Sequence, residues 1–443
     1  MVPYLLACAA PSAPQPEPAA PAAQEPAAPA DLVLVLDNGL RADPPGQPGA
    51  QAAFAEGLHR AADVRFDAAV AQSVSTYVSV GSVLTGRYPT AIPLCAWGLG
   101  ATEAPWCTRF PDGAPSIPEI LAIYGYDTAL VVVPPRLKEH DQLAGEFDHV
   151  IVAGANDVAD GVARSLEWWA GHVGHPRLLV VTADAVAPLA ALVPPGAPGR
   201  AMEAAVRTQV LAAYEKVGRE HGEAFARLLD AVLAPGPRPT HAVVGSAHGV
   251  NLGETTGTPS LPLSPVQHDI LLERTLRVPL YAFSSSPSPT RVVGDVVELV
   301  DILPTFVRLA GVMPPAALAG RDLLTAPPDP DRLGYAEFGD MIAVRSRTHL
   351  LLARLWMHGG TTLDPEISRR LIEAPEGRTS FALHDVADDP MQEHELLADQ
   401  KALGHALYDR MVEIRQGPGA PPDRGFTDEQ VAALRGSGTQ SYF

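Results

Sequence analysis

A chain of 443 residues, 47% of them hydrophobic, has apolar side chains enough to bury a large core, in one big domain or a large one with a smaller companion. Its 51 acidic residues against 32 basic ones leave a formal charge of −19. No dense Lys/Arg cluster offsets that excess, so a nucleic-acid partner, which needs a basic face, is excluded.

The first residues differ in character from the rest. Leu5-Leu6-Ala7-Cys8 resembles a bacterial lipobox, whose cysteine is acylated and becomes the mature N-terminus. Residues 9–30 are almost entirely Ala, Pro, Gln and Glu, a composition that forms no core and suits an extended tether. Together they imply a lipidated Cys8 and an extracytoplasmic, envelope-anchored protein of the periplasm or cell surface. Cys95 and Cys107 lie close together in a Pro- and Gly-containing stretch. In an oxidising compartment they read as a disulfide, and otherwise as two separate buried thiols.

Folded sequence begins at Asp31. Leu32 to Leu36 is a short continuous apolar run closed by Asp37-Asn38-Gly39, the pattern of a buried parallel strand. Similar runs recur at Thr128–Val133, His149–Val152, Leu178–Thr182, His241–Val244 and Val278–Phe283. Helical stretches are predicted at Ile117–Tyr124, Asp157–Ala170, Arg200–Val217 and Glu223–Leu233. Trp168-Trp169 read as a helix face covering the sheet, with sugar stacking as the other reading. This alternation predicts a mostly parallel sheet between two layers of helices, with polar residues past the strand ends gathering at one edge. Beyond Arg321, Pro327-Pro328-Asp329-Pro330 breaks the chain. Ile342–Val344, His349–Trp356 and Phe381–Val386 then read as short antiparallel strands, closed by a helix over Gln400–Ile414. The expected organisation is a leader over 1–8, a tether over 9–30, an α/β domain over 31–325, a small α+β subdomain over 326–416 and a loose tail over 417–443.

Ser82-Val83-Leu84-Thr85-Gly86-Arg87-Tyr88-Pro89 resembles the signature of the sulfatase family, in the alkaline-phosphatase-like superfamily. Three more segments agree in order. Asp37-Asn38-Gly39-Leu40-Arg41-Ala42-Asp43 resembles the family's first metal-binding strand end. Gly245-Ser246-Ala247-His248-Gly249 resembles its Ser-Asp-His-Gly segment, and Leu276-Arg277-Val278-Pro279-Leu280 its Arg-Val-Pro-Leu strand. Weaker similarities at Val300–Thr305 and Leu383–Pro390 extend the match over about residues 31 to 415. The resemblance implies an α/β/α sandwich with a small C-terminal α+β subdomain, and hydrolysis of sulfuric esters on small molecules or glycans.

In that family a formylglycine made from Cys or Ser attacks the ester while bound to a divalent cation. The nucleophile position, eight residues before Leu84, is Thr76, within Thr76-Tyr77-Val78-Ser79-Val80. Threonine carries a β-methyl and yields no formylglycine, and Val80 stands where the family has an arginine. Of the ligand set implied by the resemblance, Asp37 and His248 remain. Asn38 offers only an amide, Ala247 replaces an acid, and Asp184-Ala185-Val186 lacks the expected histidine. His268 falls near the family's basic residue before Arg-Val-Pro-Leu. One carboxylate holds a hard cation poorly, so calcium or zinc is expected to bind weakly or not at all. Two readings stay open on sequence. One is a pseudoenzyme that keeps the cleft to bind a ligand. The other is a weakly active sulfuric- or phosphoric-ester hydrolase using Thr76 at a divalent metal. Glu254 or Asp184, placed beside Asp37, would favour the second.

Overall fold

The run Leu32–Leu36 has no polar face, so a strand made from it needs cover on both sides. The computed structural model describes residues 29–44, 46–92, 115–133, 144–154, 157–192, 204–252, 271–315, 318–338, 341–354 and 381–416. Within these, the large sheet comprises β1 (Asp31–Asn38), β2 (Val64–Val70), β3 (Asp127–Val132), β4 (His149–Val152), β5 (Arg177–Asp184), β6 (Thr240–Gly245), β7 (Arg277–Ser284) and β8 (Arg291–Glu298), in the order β4-β3-β5-β1-β6-β7-β2-β8. β1 pairs in parallel with β5 and β6 and is buried along its whole length.

The helices are α1 (Ala50–Gly57), α2 (Thr76–Thr85), α3 (Ile117–Ile123), α4 (Val158–Gly171), α5 (Ala204–Val232), α6 (Glu273–Leu276), α7 (Ile302–Leu309) and α8 (Lys401–Gln416). Alternate residues of β1 serve two separate cores. Leu32, Leu34 and Leu36 pack with Val80 and Leu84 of α2, Ile120 of α3 and Phe306 of α7. Val33 and Val35 pack on the opposite face with Phe54 of α1, Trp169 of α4 and Phe225 of α5. Trp168 and Trp169 are 5% and 7% exposed within this second core, as sheet cover requires.

Two expectations change. Val278–Phe283 was expected to run parallel to its neighbours, but β7 is antiparallel to both β6 and β2. A strand buried on both faces shows the same apolar run in either direction, so composition could not fix its sense. The helix expected to stop at Val217 and restart at Glu223 instead runs unbroken as α5. Gly218 and Gly222, which fall at the two ends of the expected gap, are where α5 meets α1. A Cβ on Gly218 would lie 2.7 Å from the Ala50 carbonyl oxygen, and one on Gly222 would overlap that of Phe54. Replacing Gly222 by alanine sets a helix-propensity gain of about 1 kcal/mol against a clash with rigid backbone. The clash wins: denaturant melts should show a net loss of about 1–3 kcal/mol, and an unchanged midpoint would contradict this crossing.

The smaller sheet is antiparallel, with β9 (Gly334–Phe338), β10 (Met341–Arg345), β11 (His349–Arg354) and β12 (Phe381–Asp385) in the order β12-β11-β10-β9. One face packs on Leu407, Tyr408 and Met411 of α8. Ala336, Met341 and Ala343 on the other share a core with Ala68 and Val70 of β2 and Val296 of β8. Buried charge also ties the sheets together. Arg345 donates to both oxygens of Glu273 at 2.7 and 2.8 Å, and Arg277 joins the same carboxylate at 2.9 Å. Burial would raise the Glu273 carboxyl, but the two guanidinium charges, Arg345 first, outweigh it and hold the group below its usual range.

Candidate functional site

The polar residues at the C-terminal ends of β1, β5 and β6 meet at one edge of the large sheet, where open α/β folds form their sites. Asp37 lies opposite Ala183 and Asn38 opposite Asp184 in the pairing of β1 with β5. The chain leaves β1 through Gly39, at φ +82°, where a Cβ would overlap the Val186 side chain. The Gly39 N–H donates to the His248 carbonyl at 2.9 Å. The Ser246 hydroxyl lies between the Asp37 and His248 carbonyls and accepts from the Leu40 N–H. These bonds lock the loop after β6 against the end of β1, bringing 246–251 beside 37–41.

Helix α2 delivers Thr76 to the same place. Ser79 donates its hydroxyl to the Ala247 carbonyl, pinning the first turn of α2 to the β6 loop. Thr76 Oγ1 then lies 2.8 Å from His248 Nε2. The other ring nitrogen, Nδ1, is 2.8 Å from the Gly249 carbonyl. A carbonyl only accepts, so the proton sits on Nδ1, Nε2 is the acceptor, and the Thr76 hydroxyl donates to it. Tyr77 to Thr85 are buried, whereas Ser75 and Thr76 are half-buried, so α2 reaches the surface at its first residue.

Asp37 is 0% exposed. Its two carboxylate oxygens lie 2.9 and 3.0 Å from Nδ1 of His221, a residue of α5 that sequence reasoning missed. Burial alone would lower the imidazole pKa. The charge and hydrogen bond of Asp37 outweigh it, with Asp184 and Glu220 adding to them, so His221 holds its proton more firmly than a free histidine. The glycine contacts between α1 and α5 bring this stretch of helix close to the sheet. No spacing motif relates His221 to Asp37, and the residue falls in the stretch expected to lie between two helices.

The remaining expected residues divide as follows. The Asn38 amide donates to the Ala183 carbonyl at 2.8 Å, while its Oδ1 is buried without a partner. Asp184 Oδ1 accepts from the N–H groups of Val186 and Ala187, both at 2.9 Å, and so caps its own turn. Val80 is 1% exposed in the core, where it places no charge. Cys8, Cys95, Cys107, His268 and Glu254 lie outside the described residues.

A divalent cation such as calcium needs six to eight oxygens, several of them carboxylate. Asn38 Oδ1 is an unsatisfied oxygen of the right kind. Both oxygens of Asp37, however, face an imidazole N–H, and position 247 brings a methyl group. Among the described residues, no three His, Cys, Asp or Glu side chains converge to hold an ion. Among the described residues, the donors at this edge are the Asp37 carboxylate, the Asn38 amide oxygen and the His248 ring.

No protein-family profile matches the chain, and no curated protein does. Solved structures match it closely in shape. The protein yidJ of Bacteroides fragilis, described as a sulfatase, superposes with a TM-score of 0.66 at 16% identity, over 91% of this chain and 98% of that one. A protein of the alkaline phosphatase superfamily from Vibrio parahaemolyticus gives 0.55 at 14% identity, over 90% of each chain. A third, solved with its substrate D-glucosamine-2-N,6-O-disulfate, gives 0.59 at 14% identity, over 89% of this chain and all of that one. The chain has an alkaline-phosphatase-like, sulfatase-like fold, as its motifs implied.

Proposed function

We propose that this protein has given up the metal-dependent ester hydrolysis of the family it resembles, so that it is a pseudoenzyme for that reaction and works as a ligand-binding protein of the sulfatase fold. The observation carrying this reading is the pairing of Asp37 with His221. In a cation site the carboxylate would face the ion. Here it is occupied by a buried imidazole held to it by hydrogen bonds and charge, and binding a cation would require breaking that pair. With one such acid, an amide at Asn38 and Val80 in the arginine position, too little charge remains to hold calcium or zinc, or to stabilise a departing sulfate. The relative solved with a sulfated glucosamine makes a sulfated glycan the first ligand to test. The lipobox-like Cys8 and the tether support binding outside the cytoplasm, at the membrane surface.

Calorimetric titration of the full chain with Ca²⁺, Zn²⁺ and Mg²⁺, alongside assays on aryl sulfates and phosphate monoesters, tests the proposal. The expected result is no binding tighter than about 1 mM, the weak end of extracellular calcium sites, and no turnover with any of the three ions. Micromolar affinity accompanied by metal-dependent turnover would overturn it and favour the alternative, a sulfuric- or phosphoric-ester hydrolase using Thr76 at the metal.

A further inference from the structure

We propose that Thr76 and His248 form a nucleophile–base pair that cleaves neutral carboxylic esters without a metal. The proposal goes beyond the loss of the metal-dependent reaction and does not depend on the identity of any bound glycan. It rests on three observations. Thr76 Oγ1 is 2.8 Å from His248 Nε2. The Gly249 carbonyl fixes the tautomer in which Nε2 carries the lone pair. Thr76 is half-buried at the first residue of an otherwise buried helix, and its partner His248 is 4% exposed. A nucleophile held by a base that is itself oriented by a third group is the arrangement that activates hydroxyls in acyl transfer.

The charge of the site selects the substrate class. Val80 stands at the family's arginine position, so no guanidinium there takes up the charge of a departing sulfate or phosphate. A carboxylic ester is neutral and asks only for proton transfer and for stabilisation of one developing oxyanion, which would form beside the positive end of the ten-residue helix α2. The Thr76 oxygen bonds to the ester carbonyl carbon as its proton passes to His248 Nε2. The bond to the alcohol oxygen then breaks and that oxygen takes the proton from Nε2, leaving an acyl-threonine. Water adds to this acyl carbon, giving its proton to Nε2. The bond to Thr76 breaks, the acid departs, and the proton returns to the threonine oxygen. One ester and one water become one acid and one alcohol.

The test is incubation of the full chain with p-nitrophenyl acetate in EDTA, reading p-nitrophenol release and mapping acetylated peptides by mass spectrometry. The expected result is a burst with acetyl on Thr76. It should be absent in Thr76→Val, retained in Thr76→Ser, and slowed about 100-fold or more in His248→Gln, the scale of general-base catalysis. Thermal melts confirm that each variant folds, and Thr76→Val, at a half-buried position, decides the matter if His248→Gln does not. Wild-type protein with no acetyl on Thr76, or unchanged p-nitrophenol release from Thr76→Val, would overturn the proposal. Metal-dependent aryl sulfate turnover would sink the preceding proposal, while a Thr76 adduct formed in EDTA would still support this one.

Discussion

Replacing His221 with alanine is expected to destabilise the protein by about 3–5 kcal/mol, the cost of leaving one partner of a buried ion pair behind. Both side chains of the pair are inaccessible, at 6% and 0% exposure, so solvent cannot take over the role of the imidazole. The loss of packing against Phe225, whose ring is 6.2 Å away, adds to the charge effect. Removing both charges together, as Asp37→Asn with His221→Gln, should cost less than His221→Ala alone, because the stranded carboxylate dominates the single variant. The pH dependence has a fixed sign. His221 has a raised pKa in the native state, so the native protein binds more protons than the unfolded chain. Its contribution is full below the unfolded value of about 6.5 and fades as pH rises through the raised native value. Denaturation curves of wild type and His221→Ala should therefore converge as pH increases from about 6. A gap that widened over that range would refute the pairing.

Arg332→Ala is the second large effect, again about 3–5 kcal/mol. The guanidinium bridges two buried acids: it contacts both oxygens of Asp301 at 2.6 Å and Glu298 at 3.0 Å. Those acids are 1% and 2% exposed. Asp301 Oδ1 also accepts from the Arg321 N–H, and Glu298 Oε1 from the Tyr335 N–H at the start of β9. The arginine thus joins α7, the end of β8 and the small sheet. Burial pushes the Glu298 carboxyl up, with Arg332 opposing and Asp301 reinforcing the shift. Without Arg332, Glu298 would take up a proton more readily, which holds the loss towards the lower end of the range. Arg332→Lys keeps the charge but cannot span both carboxylates with one planar fork, so it should recover only part of the stability. A midpoint change in Arg332→Ala worth under about 1 kcal/mol would show that the network is no tighter than a surface pair.

Much of the fold could be read from apolar runs because burial leaves an imprint on composition. Leu32–Leu36 and Leu178–Thr182 are apolar on both faces because helices cover both faces of the sheet. The strands that escaped notice are those with mixed faces. Arg291–Glu298 alternates between exposed and partly buried residues over its first half, and Val64–Val70 has exposed positions at Arg65 and Asp67. β8 is an edge strand of the sheet, and β2 is its neighbour, second from that edge. The short strand β9 was likewise missed, since Gly334–Phe338 carries Glu337 at a buried position, held by Tyr335 and Arg415.

The site divides the same way. Sequence alone determined that Thr76 has no route to formylglycine, that Val80 brings no charge and that Ala247 brings no ligand, because these are properties of side-chain chemistry that folding cannot alter. It also placed Asp37, Thr76 and His248 in one neighbourhood through motif order. Tertiary structure alone decided what those groups do there. The pairing of Asp37 with His221 spans 184 residues and depends on two helices meeting through glycines. The Thr76–His248 hydrogen bond spans 172 and depends on Ser79 pinning α2 to the β6 loop. Contacts between residues so far apart are set by how layers pack, and packing leaves no local periodicity for a sequence to display.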